Sequence, residues 1–308
     1  MTRHFDDLQL GSIELFCLAA ESASFTAAAT AAGITPAAVS RAIGRLEERL
    51  GVRLFVRTTR QVRLSDTGHA YYQQCRQALG QLVEAERQAS GGQSLPSGRL
   101  RLSVPTPYGY FRLLPILEPF RQAYPQVQID LHISNRNIDF AEDGHDLAIR
   151  GRTPGDSSLI ARHLEDAELV VVATADYLRR AGTPQRLEDL AEHQCVQFEL
   201  PSSGRRVPWS FQVEGRQVEI QTSGSLTCLE DFLATVIAVK NGAGLMQAYR
   251  FSVQQELQSG ELVEVLAKFG GTSRPFILLY PEARHMPQRV RVFVDFLLRH
   301  HQDLARAR

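Results

Sequence analysis

The chain of 308 residues carries 34 basic side chains, yet only two are lysine, Lys240 and Lys268. Its 34 acidic side chains bring the formal net charge to zero. No global field therefore draws it to nucleic acid or membrane, and any such partner must be met by a local patch. The arginine surplus runs through the whole chain, as genome composition would produce, so arginine is informative only where it clusters. Cysteine is equally sparse. Cys17, Cys75, Cys195 and Cys228 lie far apart, with no CxxC and no Cys/His ligand spacing, which leaves no zinc motif and fits a reduced cytosolic setting. No run of 18 apolar residues is present, so no transmembrane helix is expected. MTRHFDDLQL lacks the apolar core of a secretion signal, and a cytoplasmic location is expected. Catalytic motifs are missing too. There is no GxSxG and no HExxH, the nine histidines are scattered, and GAGL at 242–245 follows a helix instead of opening one. The reading is of a protein that is not an enzyme and needs no cofactor or metal.

What is present begins with a helical N-terminal third. Residues 8–22 are apolar around most of a helix, with Ile13, Phe16, Cys17 and Ala20 on one face. Ser24 or Thr26 caps a short alanine helix that ends at Gly33. Next comes GITPAAVSRAIGRLEERLG, residues 33–51, with Thr35 as N-cap and Pro36 at the first helical position. Val39, Ile43, Leu46 and Leu50 follow the spacing of a buried stripe, while Arg41, Arg45 and Arg49 repeat on another face. Two short helices joined by a glycine-containing turn make a helix-turn-helix, whose second helix suits a major groove. A hairpin comes next, from Leu54, Phe55 and Val56 through a turn at 58–61 to Val62 and Leu64. Arg49 to Ser65 holds five arginines and no acid. A solvated surface helix would not need helix and wing to carry their charge together. The small residues Thr35, Pro36, Ala37 and Ser40 would let the backbone approach bases, with Arg41 and Arg45 on the same face. Arg57, Arg60 and Arg63 would meet phosphates or a minor groove, with Thr58 between them and Thr26 on the preceding helix.

Ser65 then caps a long helix at about 66–90. Tyr71, Cys75, Ala78, Leu82, Ala85 and Ala89 alternate spacings of four and three, a coiled-coil seam that would dimerise the chain; the alternative is packing against its own domain. Some 25 residues give a helix of about 37 Å. SGGQSLPSG is a hinge by composition. Beyond it strands and helices alternate: strands at 99–104, VQIDLHIS, DLAIR, 169–174 and RPFILLYP, and helices with Phe111, Leu114, Leu117 and Phe120 on one side, at 229–241, and from Gln288 to His300. This order argues for an α/β domain with parallel sheets.

SFTAAATAAGITPAAVSRAIGRLEERLGVRLFVRTTRQVRLSDTG resembles the N-terminal signature of LysR-type transcriptional regulators. AEDGHDLAIRGRTPGDSSLIARHL, and GAGLMQAYRFSVQQELQSGELVEVL with PFILLYP, resemble that family's effector domain. The resemblance spans the chain. It implies a winged helix-turn-helix at 1–65, a dimerising linker helix at 66–90, a hinge at 91–98 and an effector domain at 99–308. That domain would be two Rossmann-like subdomains resembling type 2 periplasmic binding proteins, one built from 99–162 and 268–308, the other from 163–267. The chain would cross between them near 161–165 and 266–270. Promoter DNA, a small organic, more often anionic, effector, RNA polymerase and further copies of the chain, as a dimer of dimers, are the implied partners. By family position the cleft would be lined by Thr106, Pro107, Tyr108, Ser134, Asn135 and Arg150, facing Phe198, Cys228, Leu229, Glu230 and Met246. Two departures stand out: Pro36 replaces a common glutamine, and Ala248 and Tyr249 stand near a missing proline. Two other readings are a free-standing solute-binding protein and a thiol redox sensor using Cys195 and Cys228. The absent signal peptide and the basic helix-turn-helix oppose the first. The lack of basic neighbours opposes the second.

Overall fold

A computed structural model describes residues 10–57, 62–89, 95–151, 159–282 and 286–306. By their contacts they fall into two units, Met1–Ser94 with Asp139–Gly144, and Leu95–Ile138 with His145–Arg308.

The first unit is built on helices α1 (Leu10–Ser22), α2 (Phe25–Ala32) and α3 (Pro36–Leu50), hairpin strands β1 (Phe55–Arg57) and β2 (Val62–Leu64), and helix α4 (Asp66–Ala89). Its helix ends follow from local chemistry. Ser24, not Thr26, caps α2 by accepting from the Ala27 N–H, and Thr35 accepts from Ala38 N at the start of α3. Gly33 and Gly51 close the two helices in left-handed conformations, φ 68° and 69°, that other residues adopt at a cost. Val39, Ile43 and Leu46 are buried, and each contributes roughly 1.5–3 kcal/mol by leaving water. They pack with Phe16, whose ring meets Phe55 and Tyr71 at 5.5 Å and Tyr72 at 6.4 Å. Ser65 caps α4, its hydroxyl accepting from Gly68 N at 2.9 Å.

The second unit opens with β3 (Gly98–Val104) and α5 (Thr106–Tyr108). The helix continues through a π turn at Gly109–Leu113 and a 3-10 turn at Leu114–Ile116 into α6 (Leu117–Ala123). The expected stripe is broken. The buried face runs Gly109, Leu113, Leu117 and Phe120, at spacings of four, four and three, so Leu117 and Phe120 keep their inward places while Phe111 and Leu114 are exposed. Then come β4 (Val127–Ile133), α7 (Phe140–Asp143, grouped with the first unit), β5 (Leu147–Arg150), β6 (Leu159–Ala173) and α8 (Ala175–Ala181). Strands β7 (Gln197–Leu200), β8 (Arg205–Arg206), β9 (Trp209–Val213), β10 (Arg216–Ile220) and β11 (Thr227–Leu229) lead to α9 (Phe232–Lys240). The chain ends with β12 (Met246–Tyr249), α10 (Gln254–Ser259), β13 (Val263–Val265), β14 (Ser273–Pro281) and α11 (Gln288–Arg306).

The main sheet runs β12-β6-β14-β5-β3-β4, with β13 also on β6. Parallel pairing holds for β4–β3–β5 and β11–β7, whereas β14 pairs antiparallel with both β5 and β6. The long strand β6 changes partners along its length. Residues 159–168 pair with β14, and Leu169–Ala173 pair with β12 and β13. The change of partner falls at Glu168–Leu169, where β14 begins opposite at Ser273. One apolar core lies under β3, β5 and α11, and two more flank the far half of β6. The helix expected at 229–241 starts only at Phe232, capped by the Asp231 carboxylate, which accepts from Leu233 N at 2.9 Å.

Candidate nucleic-acid interface and effector cleft

The wing is fastened to α3 by a residue that the sequence pattern did not single out. Glu47 is buried, and its carboxylate accepts from the N–H groups of Leu54 at 2.8 Å and Phe55 at 3.1 Å and from Arg53 at 2.9 Å. A buried carboxylate is tolerable only with such partners. This contact fixes where the hairpin leaves the helix. Its sequence signal is an acid at a position adjoining the aliphatic stripe. With the stripe turned inward, Thr35, Pro36, Ala37, Arg41 and Arg45 are exposed and Ser40 is half-buried. Thr26 is exposed on α2, and Arg63 is exposed on β2, opposite Val56. Arg57 ends β1 opposite Val62, while Thr58 and Arg60 lie outside the described residues. A small-residue helix start beside exposed guanidinium groups suits a negatively charged groove.

The expected seam on α4 divides in two. Tyr71 and Cys75 join the core of their own unit, with Tyr72 and Leu79, so these two are not interface residues. The reason is that α1 packs on the first turns of α4 and covers them. Burial raises the Cys75 thiol above its usual range and pushes Tyr71 up to about 12. Farther on, Ala78 and Leu82 are exposed, with Leu82 at 47% and its neighbour Val83 at 65%; Ala85 and Ala89 lie in the last turns.

In the second unit the expected cleft residues separate into a rim and a core. Thr106 N donates to Asn135 Oδ1 at 3.1 Å, and Asn135 Nδ2 donates to Thr106 Oγ1 at 2.8 Å and to the Glu230 carbonyl at 2.6 Å. Asn135 therefore ties the start of α5 to the turn before α9. Ser134 Oγ accepts from Arg136 N at 3.2 Å. Arg136, unnamed by the sequence pattern although it follows Ser134 and Asn135 directly, places its guanidinium on the Glu230 carboxylate. Leu229 and Glu230 are exposed, and Glu230 has φ 64°, unusual for a residue with a side chain. Phe198 and Cys228 are half-buried and paired across β7 and β11. Phe232 meets Phe198 at 5.5 Å and Tyr249 at 5.7 Å, adding two rings to the apolar wall.

Three expected lining residues belong to the interior. Tyr108 is fully buried, with its hydroxyl 2.5 Å from His301 Nε2 and its ring 4.8 Å from Phe276. Met246 is 1% exposed among Val170, Val172 and Val236, because β12 lies against the far half of β6. Pro107 is buried beside Tyr108. Arg150 has found partners other than a carboxylate. It donates to the carbonyls of Ser103, Ile149 and Arg136 and to Ser103 Oγ, at 2.6–3.1 Å. Burial pushes Cys195 up to about 12, and burial with the nearby Asp231 raises Cys228, so neither thiol is poised as a thiolate. Among the described residues no His/Cys/Asp/Glu group could hold a metal ion, and no helix is long and apolar enough to cross a membrane.

A helix-turn-helix with a basic wing and a separate α/β unit define the class of a two-part DNA-binding protein. The chain matches the bacterial regulatory helix-turn-helix family of lysR type over residues 10–69 and the LysR substrate binding domain over residues 93–302. It is 35% identical over 292 residues to the probable HTH-type transcriptional regulator LtrA of Klebsiella pneumoniae, covering 94% of this chain and 93% of that one. It is 33% identical to the regulator CrgA of Neisseria meningitidis serogroup C, over 93% and 95% of the two chains. The solved structure of CrgA superposes with a TM-score of 0.60 at 30% identity, covering 94% and 98%. The full-length Vibrio cholerae virulence activator AphB gives 0.61 at 28% identity, covering 96% and 100%. The chain belongs to the LysR-type transcriptional regulators, a family of DNA-binding regulators with an effector-binding domain and not of enzymes.

Proposed function

We propose that the protein regulates transcription from the cytoplasm as a dimer of dimers, reading promoter half-sites through α3 and the wing. A small organic effector in the cleft between Asn135 and Glu230 would alter that binding and, through it, contact with RNA polymerase. The observation that carries this reading is the division of α3 into an inward aliphatic stripe, with Val39, Ile43 and Leu46 buried and Leu50 partly so, and exposed Arg41 and Arg45 beside the small residues 35–37. The exposed Ala78, Leu82 and Val83 support dimerisation through the second half of α4, and two reading heads then fit half-sites about 34–36 Å apart. We assign the helix-turn-helix and wing to 1–65, the linker helix to 66–90, the hinge to 91–98 and the effector domain to 99–308. Footprinting on promoter fragments recovered with the protein from cells tests the reading. Arg41→Ala and Ser40→Ala should change which base pairs are preferred, by about 1–3 kcal/mol at a contacted position. Unchanged preference in both variants, or no binding above that to competitor DNA, would overturn it.

A further inference from the structure

The two arginines at the cleft differ in what holds them. The two terminal nitrogens of Arg150 are held by acceptors on β3 and β5 and by the Arg136 carbonyl, so an anion on them would displace these bonds. Arg136 is the reverse. Its backbone is fixed, with N–H on Ser134 Oγ and its carbonyl accepting from Arg150, while its side chain is 66% exposed and rests on a Glu230 that is 60% exposed. Ion pairs this exposed contribute little. Glu230 reaches Arg136 from a left-handed backbone that disfavours a residue with a Cβ, anchored by Asn135 on its carbonyl. Two residues on, Phe232 begins a run of half-buried rings, meeting Phe198 at 5.5 Å and Tyr249 at 5.7 Å. A Cβ on Gly151 would stand 3.6 Å from the Tyr249 hydroxyl.

We propose that Arg136 is the anion-accepting residue of the cleft, that Glu230 occupies it in the absence of ligand, and that the effector is an aromatic monocarboxylate. This rests on the reading of the cleft as the effector site. The ligand's carboxylate replaces that of Glu230 on Arg136, so one ion pair is exchanged for another and Glu230 turns to water. The flat apolar body then lies against Phe198, Phe232 and Tyr249, where offset or edge-on ring contact is favourable. A second carboxylate on the ligand would face the released Glu230, which restricts the class to monoanions.

Calorimetric titration of the full-length chain with benzoate, phenylacetate and 4-hydroxybenzoate tests this, with benzyl alcohol and acetate as controls. The aromatic acids should bind at millimolar concentration and the controls should not. Arg136→Gln should weaken binding roughly tenfold or more, since it removes a charge-assisted hydrogen bond. Glu230→Gln should strengthen it roughly twofold to fivefold, because the competing carboxylate is gone. The inference is overturned if Glu230→Gln weakens binding, if Arg136→Gln binds as the wild type does, or if none of the acids binds. A neutral compound that bound the cleft and changed promoter binding would leave the regulator reading intact and sink this one. Failure to select any promoter DNA would sink the regulator reading however the acids behave.

Discussion

The arginines of α3 and the wing and those beside the crossing strands of the second unit are used in opposite ways. In the first, Arg41, Arg45 and Arg63 stand exposed on elements whose aliphatic side chains fill the core beneath. In the second, arginines beside the crossing strands turn inward. Arg112 forks onto Glu165 at 2.8 and 3.1 Å and lies 4.4 Å over the Phe251 ring. Arg250 joins Glu168 at 2.7 Å and Glu264 at 2.9 Å, and Arg274 donates to the Pro208 carbonyl at 2.7 Å. The local supply of acid separates the two cases. Residues 49–65 contain five arginines and no acid, whereas β6 alone carries Glu165, Asp166 and Glu168. An arginine-rich composition thus becomes a partner surface where acids are withheld, and an internal clamp where neighbouring strands supply them.

Helix α4 holds the same contrast within one element, and there the largest effect is expected. Cys75→Asp would bury a charge among Phe16, Tyr71 and Tyr72, and should cost about 3 kcal/mol or more and unfold the first unit. Leu82→Asp lies on exposed helix and should leave the melting of the unit within about 0.5 kcal/mol while weakening self-association. Sedimentation and thermal unfolding of both variants check this together. Equal melting temperatures for the two, or undiminished association of Leu82→Asp, would erase the boundary drawn at the middle of α4.

The next effect is intermediate. Arg112→Ala should destabilise the second unit by about 2–3 kcal/mol, because it removes a bidentate, half-buried pair and a ring contact at once. Arg63→Ala should leave folding unchanged but weaken DNA binding across sequences, lowering the salt slope by about one. Denaturant titration and binding at several salt concentrations separate the two. A destabilised Arg63→Ala, or an Arg112→Ala as stable as the wild type, would break the comparison.

Legibility in the sequence followed the range of the interactions. The caps at Ser24, Thr35, Gly33 and Gly51, the stripe of α3 and the hairpin are set within a few residues, and they could be read. Elements decided by distant partners could not. The strands between 197 and 229 are short, and one hairpin turns on Glu214–Gly215, both with positive φ, without the usual Asn-Gly signal. Between Gly109 and Phe120 the apolar residues Phe111 and Leu114 offered a second stripe that the buried Leu113 excludes, which local pattern alone does not decide. Of the residues expected to line a cleft, Thr106, Asn135 and Glu230 do meet through hydrogen bonds. Tyr108 and Met246 were misplaced because their burial depends on α11 and β6, and Arg136 on Glu230 and Phe232 against Tyr249 were missed because residues far apart in the sequence make those contacts.

The smallest effect concerns acid. His193 is buried in the second unit, and its Nδ1 lies 3.0 Å from the Tyr177 hydroxyl. That oxygen already accepts from Gln194 N at 2.9 Å, so its proton is available for Nδ1, an arrangement that suits the neutral imidazole. Burial lowers the pKa of His193 below the ordinary value near 6.5, against the opposing pull of Asp189 and Glu192. A histidine depressed in the folded state binds fewer protons than in the unfolded chain. Its contribution is therefore complete above about 6.5 and is lost as pH falls through the folded value. The exposed His69 of the first unit has no such burial. Acidification from neutrality should thus lower the unfolding transition of the second unit by about 1 kcal/mol or less and leave that of the first in place. His193→Gln, which keeps a polar group beside Tyr177 but cannot titrate, should flatten this dependence below about pH 6.5. If the variant and the wild type lose stability in parallel there, the acid sensitivity belongs to other groups, and the two units do not differ in this respect.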